Sequence, residues 1–234
     1  MLYETLILGR SKKTRGLYPS LVLALESKPP AFFRKNVRNL LLHSDLPDKH
    51  LDLVLSSCAD IVDLVICPLF TPASVFPRLK QKQLQRLAVY VDHPQITLDV
   101  SLPHLTTLTH LDIFVNFNAS KSPKGFESLP ALTHLKLFKP KRSALRSALA
   151  DCKKLQVLIY ATFQNTSLPT LAQALESIDD SRLVLMHRNL AIPNSWEPTW
   201  GQWWIQAEDF IEKKSRGDIQ PASRCWIVAS DMIL

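Results

Sequence analysis

The sequence has few glycines and no long apolar run, and each shortage excludes a class of protein. It has five glycines in 234 residues, and it contains no phosphate-cradling glycine loop, no nucleophile elbow and no HExxH pattern. We therefore predict that the protein is not an enzyme and that it uses no cofactor. No apolar run approaches the roughly 18 residues that span a bilayer, and residues 1–8 are too short for a signal peptide, so we predict no membrane partner.

Cysteines are also few, and their spacing is irregular. The four positions are Cys58, Cys67, Cys152 and Cys225, with no CxxC pair among them. Cysteines in this arrangement are typical of reduced thiols, because neither a disulfide framework nor a zinc site has such spacing. The expected location is therefore the cytoplasm or the nucleus.

One short phrase of apolar residues recurs along most of the chain. It consists of an apolar residue, two others, an apolar residue, one other and a third apolar residue. The middle members of its copies, the last of them incomplete, are Leu6, Leu40, Leu64, Leu87, Leu111, Leu135, Leu158 and Leu183. They are 34, 24, 23, 24, 24, 23 and 25 residues apart. A period of roughly 20 to 29 residues is typical of leucine-rich repeats, in which each repeat supplies one strand and its return segment.

The phrase predicts an α/β fold, with a solenoid over residues 1–190. Each strand returns to a parallel neighbour by a right-handed crossover, so we expect a parallel concave sheet with helices or loops on the convex side. Prolines in the returns at residues 69–77 and 92–105 predict short 3₁₀ turns or loops there. Only Asn116 matches the turn asparagine of regular leucine-rich repeats, so we expect an irregular leucine-rich-repeat solenoid.

The last segment, residues 191–234, has a different character and is rich in tryptophan. Ala207, Phe210 and Ile211 follow Trp203 and Trp204 at helical spacing. We predict a C-terminal Trp-rich capping helix, because the last repeat of a solenoid otherwise exposes its core. The alternative, a Trp-rich membrane anchor, is disfavoured by the acidic residues on this helix.

The alternation of strand side chains predicts a binding face on the concave side of the sheet. Its candidate partner-binding residues are Arg86, Tyr90, His110, Asp112, Phe114, His134, Lys136 and Phe138. We expect Asp63 beside Arg86, Asp112 beside Lys136, and a ladder of the three aromatic rings. The rings have three possible roles, which are contact with a protein partner, stacking on nucleic acid bases and packing against a neighbouring loop.

Two histidines on neighbouring predicted strands raise the question of a metal site. His110 and His134 should lie side by side, but a site needs three or four ligands, and Asp112 is the nearest further candidate. We therefore predict solvated histidines and no metal.

Positive charge is concentrated in one segment. Residues 121–154 contain nine basic and two acidic residues, in a chain of net charge +7. The candidate basic patch comprises Lys121, Lys124, Lys139, Lys141, Arg142, Arg146, Lys153 and Lys154. Such a patch attracts nucleic acid or another polyanion, or it is simply the solvated face of a convex helix.

Several stretches carry more specific motifs, at residues 2–6 (LYETL), 108–113 (LTHLDI), 132–137 (LTHLKL) and 152–158 (CKKLQVL). Together they resemble the repeat region of fungal F-box and leucine-rich-repeat-like proteins. Residues 200–210 (WGQWWIQAEDF) are similar to the Trp-Ala-Glu-Phe helix that follows the repeats in that family. The resemblance implies the fold and, for members that have an F-box, a substrate-receptor role in ubiquitin ligases.

An F-box itself is not expected in this sequence. Residues 46–55 (LPDKHLDLVL) match its opening superficially, but they lie between two phrases 24 residues apart, which leaves room for one return helix. The chain also enters its first phrase almost at once. Either an upstream segment such as an F-box is missing, or the insertion between Leu8 and Val37 covers the first strand.

These observations lead to two hypotheses about function. The first is a non-enzymatic protein-protein interaction scaffold, monomeric and similar to a substrate receptor, because aromatic and arginine side chains on a rigid sheet are typical of contact hot spots. The second is an electrostatic binder of nucleic acid or another polyanion through residues 121–154.

Overall fold

The computed structural model describes residues 4–8, 17–42, 47–66, 75–80, 82–91, 99–115, 123–187 and 201–231. The chain divides into two compact units, which we call unit one (Met1–Leu132) and unit two (Thr133–Leu234). Each unit combines helices with parallel strands, so the predicted α/β class is confirmed. The predicted domain boundary at residues 190 and 191 lies outside the described residues.

Unit one, where it is described, has five parallel strands that neighbour one another in chain order. They are β1 (Thr5–Leu8), β2 (Asn39–Leu42), β3 (Asp63–Ile66), β4 (Arg86–Val91) and β5 (His110–Val115). The α-helices are α1 (Leu17–Ser27), α2 (Pro30–Asn36) and α3 (Asp48–Ser57). Short 3₁₀ helices cover Phe76–Leu79, Pro103–Leu105 and Phe126–Ser128.

Unit two also combines parallel strands with helices, over a shorter length, and it contains a long helix near its end. Its parallel strands are β6 (His134–Phe138), β7 (Val157–Thr162) and β8 (Leu183–His187). Its α-helices are α4 (Arg142–Asp151), α5 (Leu168–Ala174) and α6 (Gln202–Ser215), and a 3₁₀ turn covers Ala229–Asp231. Trp226 forms a parallel bridge with Leu185, so the segment after α6 returns to β8.

The strands are in register, so the residues that lie between the last two apolar positions of each phrase form a row within each unit. Ile7, Leu41, Val65, Ala88 and Asp112 align across unit one. Lys136, Ile159 and Val184 align across unit two. The middle leucines of the phrase point to the opposite face, because side chains alternate along a strand. They form the core, and each is at most 6% exposed: Leu6, Leu40, Leu64, Leu87, Leu111, Leu135, Leu158 and Leu183.

The return segments follow the predicted distinction between helical and proline-containing returns. Helices α3, α4 and α5 carry apolar residues at helical spacing, such as Leu51, Val54 and Leu55 in α3. The segments before β4 and β5 instead contain 3₁₀ turns with a proline at their start, Pro77 and Pro103. Proline suits that position because its missing N–H and fixed φ cost nothing in the first turn. The 34-residue first step accommodates both α1 and α2.

Three of the four cysteines lie in the described parts of the chain. Cys58, Cys152 and Cys225 form no disulfide, and Cys67 lies outside the described residues. Burial raises the pKa of Cys58 to about 12, so its thiol stays protonated and unreactive at neutral pH. In the described parts of the chain, no helix is long and apolar enough to cross a bilayer.

Candidate functional site

Five of the predicted partner-binding residues lie on the same face of β4 and β5 in unit one. Arg86 pairs with His110, Ala88 with Asp112, and Tyr90 with Phe114 in the parallel register. We call the five side chains Arg86, Tyr90, His110, Asp112 and Phe114 the unit-one face. All five are half-buried, so each presents part of its surface to solvent while the strand backbone holds it.

An aromatic pair lies on the unit-one face. The rings of Tyr90 and Phe114 are stacked, with centroids 5.4 Å apart and planes inclined by 30°. Direct opposition in the register places these rings in contact, and an offset stack is a preferred arrangement of aromatic side chains. This part of the predicted aromatic ladder is confirmed.

Arg86 is held by the neighbouring strand. Its Nε lies 3.0 Å from Oδ1 of Asp63, and 42% of its side chain is exposed against 10% for the Asp63 side chain. Burial raises the pKa of the Asp63 carboxyl, and the charge of Arg86 opposes that rise. The predicted proximity of Asp63 and Arg86 is therefore confirmed. The ion pair fixes one side of the guanidinium while the rest faces solvent.

The other three predicted binding residues lie on β6 in unit two, and they are buried. His134 is 5% exposed, Lys136 is 6% exposed and Phe138 is 3% exposed. The expectation that they line an open face is wrong. Phe138 packs edge-on against Phe163, with ring centroids 4.7 Å apart, so this ring fills the interior of unit two. The predicted pairs of Asp112 with Lys136 and of His110 with His134 stay predictions.

Helix α6 covers the strand residues of unit two. Oε1 of Glu208 lies 2.8 Å from Nε2 of His134, and the Trp204 ring meets the His134 ring edge-on at 5.5 Å. The ammonium of Lys136 lies 4.6 Å from the centre of the Trp203 ring, a cation–π contact. The predicted C-terminal helix therefore exists, but these contacts place it over the strand face.

The reason for this cover lies in the strands of unit two. Ile159 and Val184, in the same row as Lys136, are apolar and fully buried, and a parallel sheet with two apolar faces needs cover on both. Trp204 and Phe210, on the buried side of α6, supply apolar cover. Sequence reasoning missed this role, although the lack of polar side chains at Ile159 and Val184 was a signal for it.

The predicted basic patch is distributed over several places, and part of it is structural. Lys124 lies in unit one, 3.5 Å from Asp99, and Lys121 lies outside the described residues. In unit two, the guanidinium of Arg142 donates to the carbonyl of Ala174, at the end of α5. Arg146 donates to the hydroxyl of Ser177 at 3.0 Å. These two arginines therefore bind the end of a neighbouring repeat.

The remaining basic residues of unit two have separate environments. The Lys139 ammonium lies 4.2 Å from the centre of the Phe163 ring. Lys141 precedes α4, while Lys153 and Lys154 follow it, and all three are exposed. A ten-residue helix is about 15 Å long, so the exposed lysines at its two ends form no compact cluster.

The described residues contain no group of three histidine, cysteine, aspartate or glutamate side chains arranged to hold a metal ion. His134 is instead bonded to Glu208 through Nε2. The sequence matches no protein-family model, and no curated protein matches it.

Proposed function

We propose that the chain is a non-enzymatic, leucine-rich-repeat-like scaffold that binds a partner protein through the unit-one face. We also propose that its repeats are related to those of the F-box and leucine-rich-repeat-like proteins that the sequence resembles. The observation that carries the proposed binding function is the half-exposed stack of Tyr90 and Phe114 on the same strand face as Arg86. Tyrosine and arginine are enriched among the few residues that supply most of the binding energy of an interface.

Rigidity supports the proposal, because ordering side chains on binding costs free energy. Tyr90 and Phe114 lie on neighbouring strands in direct register, and each ring limits the rotation of the other. Arg86 is held by Asp63 at 3.0 Å. The unit-one face is thus arranged before a partner arrives, and it presents aromatic, cationic and anionic groups within two strands.

The structure of unit two reduces the number of candidate partner-binding residues. Because α6 covers His134 and Lys136 and Phe163 covers Phe138, the proposal rests on the five residues of unit one. A partner that reached the β6 side chains would have to displace α6.

Photo-crosslinking tests the proposal directly. A crosslinking amino acid placed at position 90 or 114 of the full chain should form an adduct with the same partner protein in cells of the source organism. The matched control places the same group at Leu23 on α1, which is 64% exposed, and should give no adduct with that partner. Mass spectrometry of the adducts identifies the partner.

The double substitution Tyr90→Ala, Phe114→Ala should then weaken binding of that partner on the order of 30-fold, as for a hot spot of about 2 kcal/mol. Leu23→Ala should leave the affinity unchanged. Calorimetry with purified proteins measures both, and circular dichroism checks that the double variant is folded. An adduct found only from Leu23, or an unchanged affinity in a folded double variant, would contradict the proposal.

The electrostatic alternative draws its support from the exposed lysines Lys141, Lys153 and Lys154. Salt titration separates the two functions. Nucleic acid binding through several phosphates should fall by roughly two or more orders of magnitude between 50 and 200 mM salt, whereas binding centred on the aromatic pair should change little. The affinities for a labelled oligonucleotide and for the partner protein that crosslinking identifies are measured by fluorescence titration at each salt concentration.

A further inference from the structure

A pocket lies in unit two at the carboxyl ends of two parallel strands. Its volume is about 830 Å³, and its walls come from the loop after β7, the end of β8, the start of α6 and residues 226–228. This volume is within the roughly 300–1,000 Å³ typical of small-molecule sites.

Four of the polar residues that line this pocket carry uncharged amides, and the other polar lining residues are Thr166, Ser167 and His187. Gln164 and Asn165 come from the loop after β7, and Gln202 and Gln206 lie one turn apart on α6. Among the residues that line the pocket and are described, none is Asp, Glu, Lys or Arg. Each amide supplies two N–H donors and a carbonyl acceptor, so the four amides offer both kinds of hydrogen-bonding group without carrying a charge.

Two indole rings are part of the apolar lining, which also includes Leu168, Pro169, Met186, Ile227 and Val228. Trp203 and Trp226 are both half-buried. The Lys136 ammonium fixes Trp203 from the strand side at 4.6 Å, and the bridge with Leu185 fixes the backbone of Trp226. Two aromatic surfaces therefore border a pocket that has amides around it, and a contact with Lys136 holds the Trp203 ring.

His187 orders the loop that carries two of the amides. Its Nε2 donates to the carbonyl of Thr166 at 2.8 Å, which ties the last residue of β8 to the loop after β7. The next residue, Ser167, accepts from the backbone N–H of Thr170 and caps α5. Gln164 and Asn165 are thus attached to a loop that is anchored at its far end.

We propose that this pocket binds an uncharged saccharide. Sugar hydroxyls both donate and accept, as the surrounding amides do, and the C–H face of a sugar ring can pack on an indole surface. A charged ligand would give up hydration without gaining a counter-charge from the lining. The site is separate from the unit-one face, so this proposal does not rest on the proposed function.

Saturation-transfer NMR and calorimetry on the full chain test the proposal. The probes are cellobiose, maltose and diacetylchitobiose as neutral sugars, glucuronic acid and glucosamine as charged sugars, and a capped dialanine as a peptide-like amide. We expect saturable binding of at least one neutral disaccharide, with an affinity at least tenfold above that of the charged sugars and the capped dipeptide.

Variants locate the binding. Gln202→Ala and Gln206→Ala should each weaken binding of the neutral sugar about 3- to 10-fold, as expected for one net hydrogen bond. Alanine favours the helix, so α6 should be retained. The matched control is Gln173→Ala, at an exposed position of α5 outside the pocket, which should leave the affinity unchanged.

Three results would overturn the proposal. They are no saturable binding of any neutral sugar at 20 mM, stronger binding of the charged sugars or the capped dipeptide, and equal affinity for a neutral sugar in wild type and in both α6 variants. None of these measurements involves the partner protein, so a failure here is distinct from a failure of the proposed function.

Discussion

Replacing Gly125 by alanine should lower the free energy of unfolding by about 3 to 5 kcal/mol. Gly125 has φ +91°, and a Cβ there would lie 2.6 Å from the backbone nitrogen of Ser101 and 2.9 Å from Oδ1 of Asp99. The left-handed backbone costs roughly 1–3 kcal/mol for a residue with a side chain, and the forced shift of packed neighbours costs a further 1–3 kcal/mol or so. Urea denaturation followed by circular dichroism measures the loss.

The chain offers a matched control for this substitution. Gly217 has φ +83°, and a Cβ there would meet nothing within 4 Å. Gly217→Ala should therefore cost only the backbone term, roughly 1–3 kcal/mol, without the added cost of shifted neighbours. Equal losses for the two variants would show that the contact with Ser101 is unimportant.

A second readout is local to the same turn. Hydrogen bonds from Ser101 and the nearby charge of Lys124 hold the pKa of the Asp99 carboxyl below its usual value. Displacing Ser101 in the Gly125→Ala variant should raise that pKa toward its ordinary range. An NMR titration of Asp99 follows the change, which Gly217→Ala should not produce.

Replacing Lys82 by methionine should destabilise the protein by about 2 to 4 kcal/mol. Lys82 is 7% exposed, and its ammonium donates to the carbonyl of Leu55 and, at 3.1 Å, to that of Cys58. Both carbonyls lie at the end of α3, where helix C=O groups lack partners in the helix itself and attract cations. Methionine preserves the length of the chain but leaves these buried acceptors without a charged donor.

The control for this prediction is two residues away. Lys80 is exposed, and Lys80→Met should change the unfolding free energy by less than about 0.5 kcal/mol. The measurement is again urea denaturation. If Lys82→Met lowers the unfolding free energy no more than Lys80→Met does, the prediction is wrong. The hydrogen bonds to the α3 carbonyls would then only offset the free-energy cost of burying the ammonium.

Much of the fold was predictable because strand side chains alternate. The phrase around Leu40 and the phrase around Leu64 predict both strands and their register, and Leu40 does pair with Leu64. The same logic predicts the contact of Tyr90 with Phe114, since both are two residues beyond a strand's central residue. The proline-containing returns were also predictable, because proline fits the first turn of a helix, where Pro77 and Pro103 lie, and disrupts the interior of a longer one.

Part of the candidate site was not predictable, because it depends on segments distant in sequence. His134 and Glu208 are 74 residues apart and meet at 2.8 Å. Nothing in the phrase around Leu135 indicates that a later helix covers the polar residues beside it. The predicted residues of β4 and β5 therefore do lie on one side of the strands. The expected exposure of His134, Lys136 and Phe138 is wrong.

The sequence by itself determined which side of a strand each residue occupies and where the chain turns, because alternation and proline geometry act over a few neighbouring residues. Only the tertiary structure decided what covers each side. The cover by Trp203 and Trp204, the seating of Lys82 on the end of α3, and the pocket between β8 and α6 all come from distant segments. Apolar burial favours some cover over an apolar face without specifying which segment supplies it, and that choice follows from the packing of the whole unit.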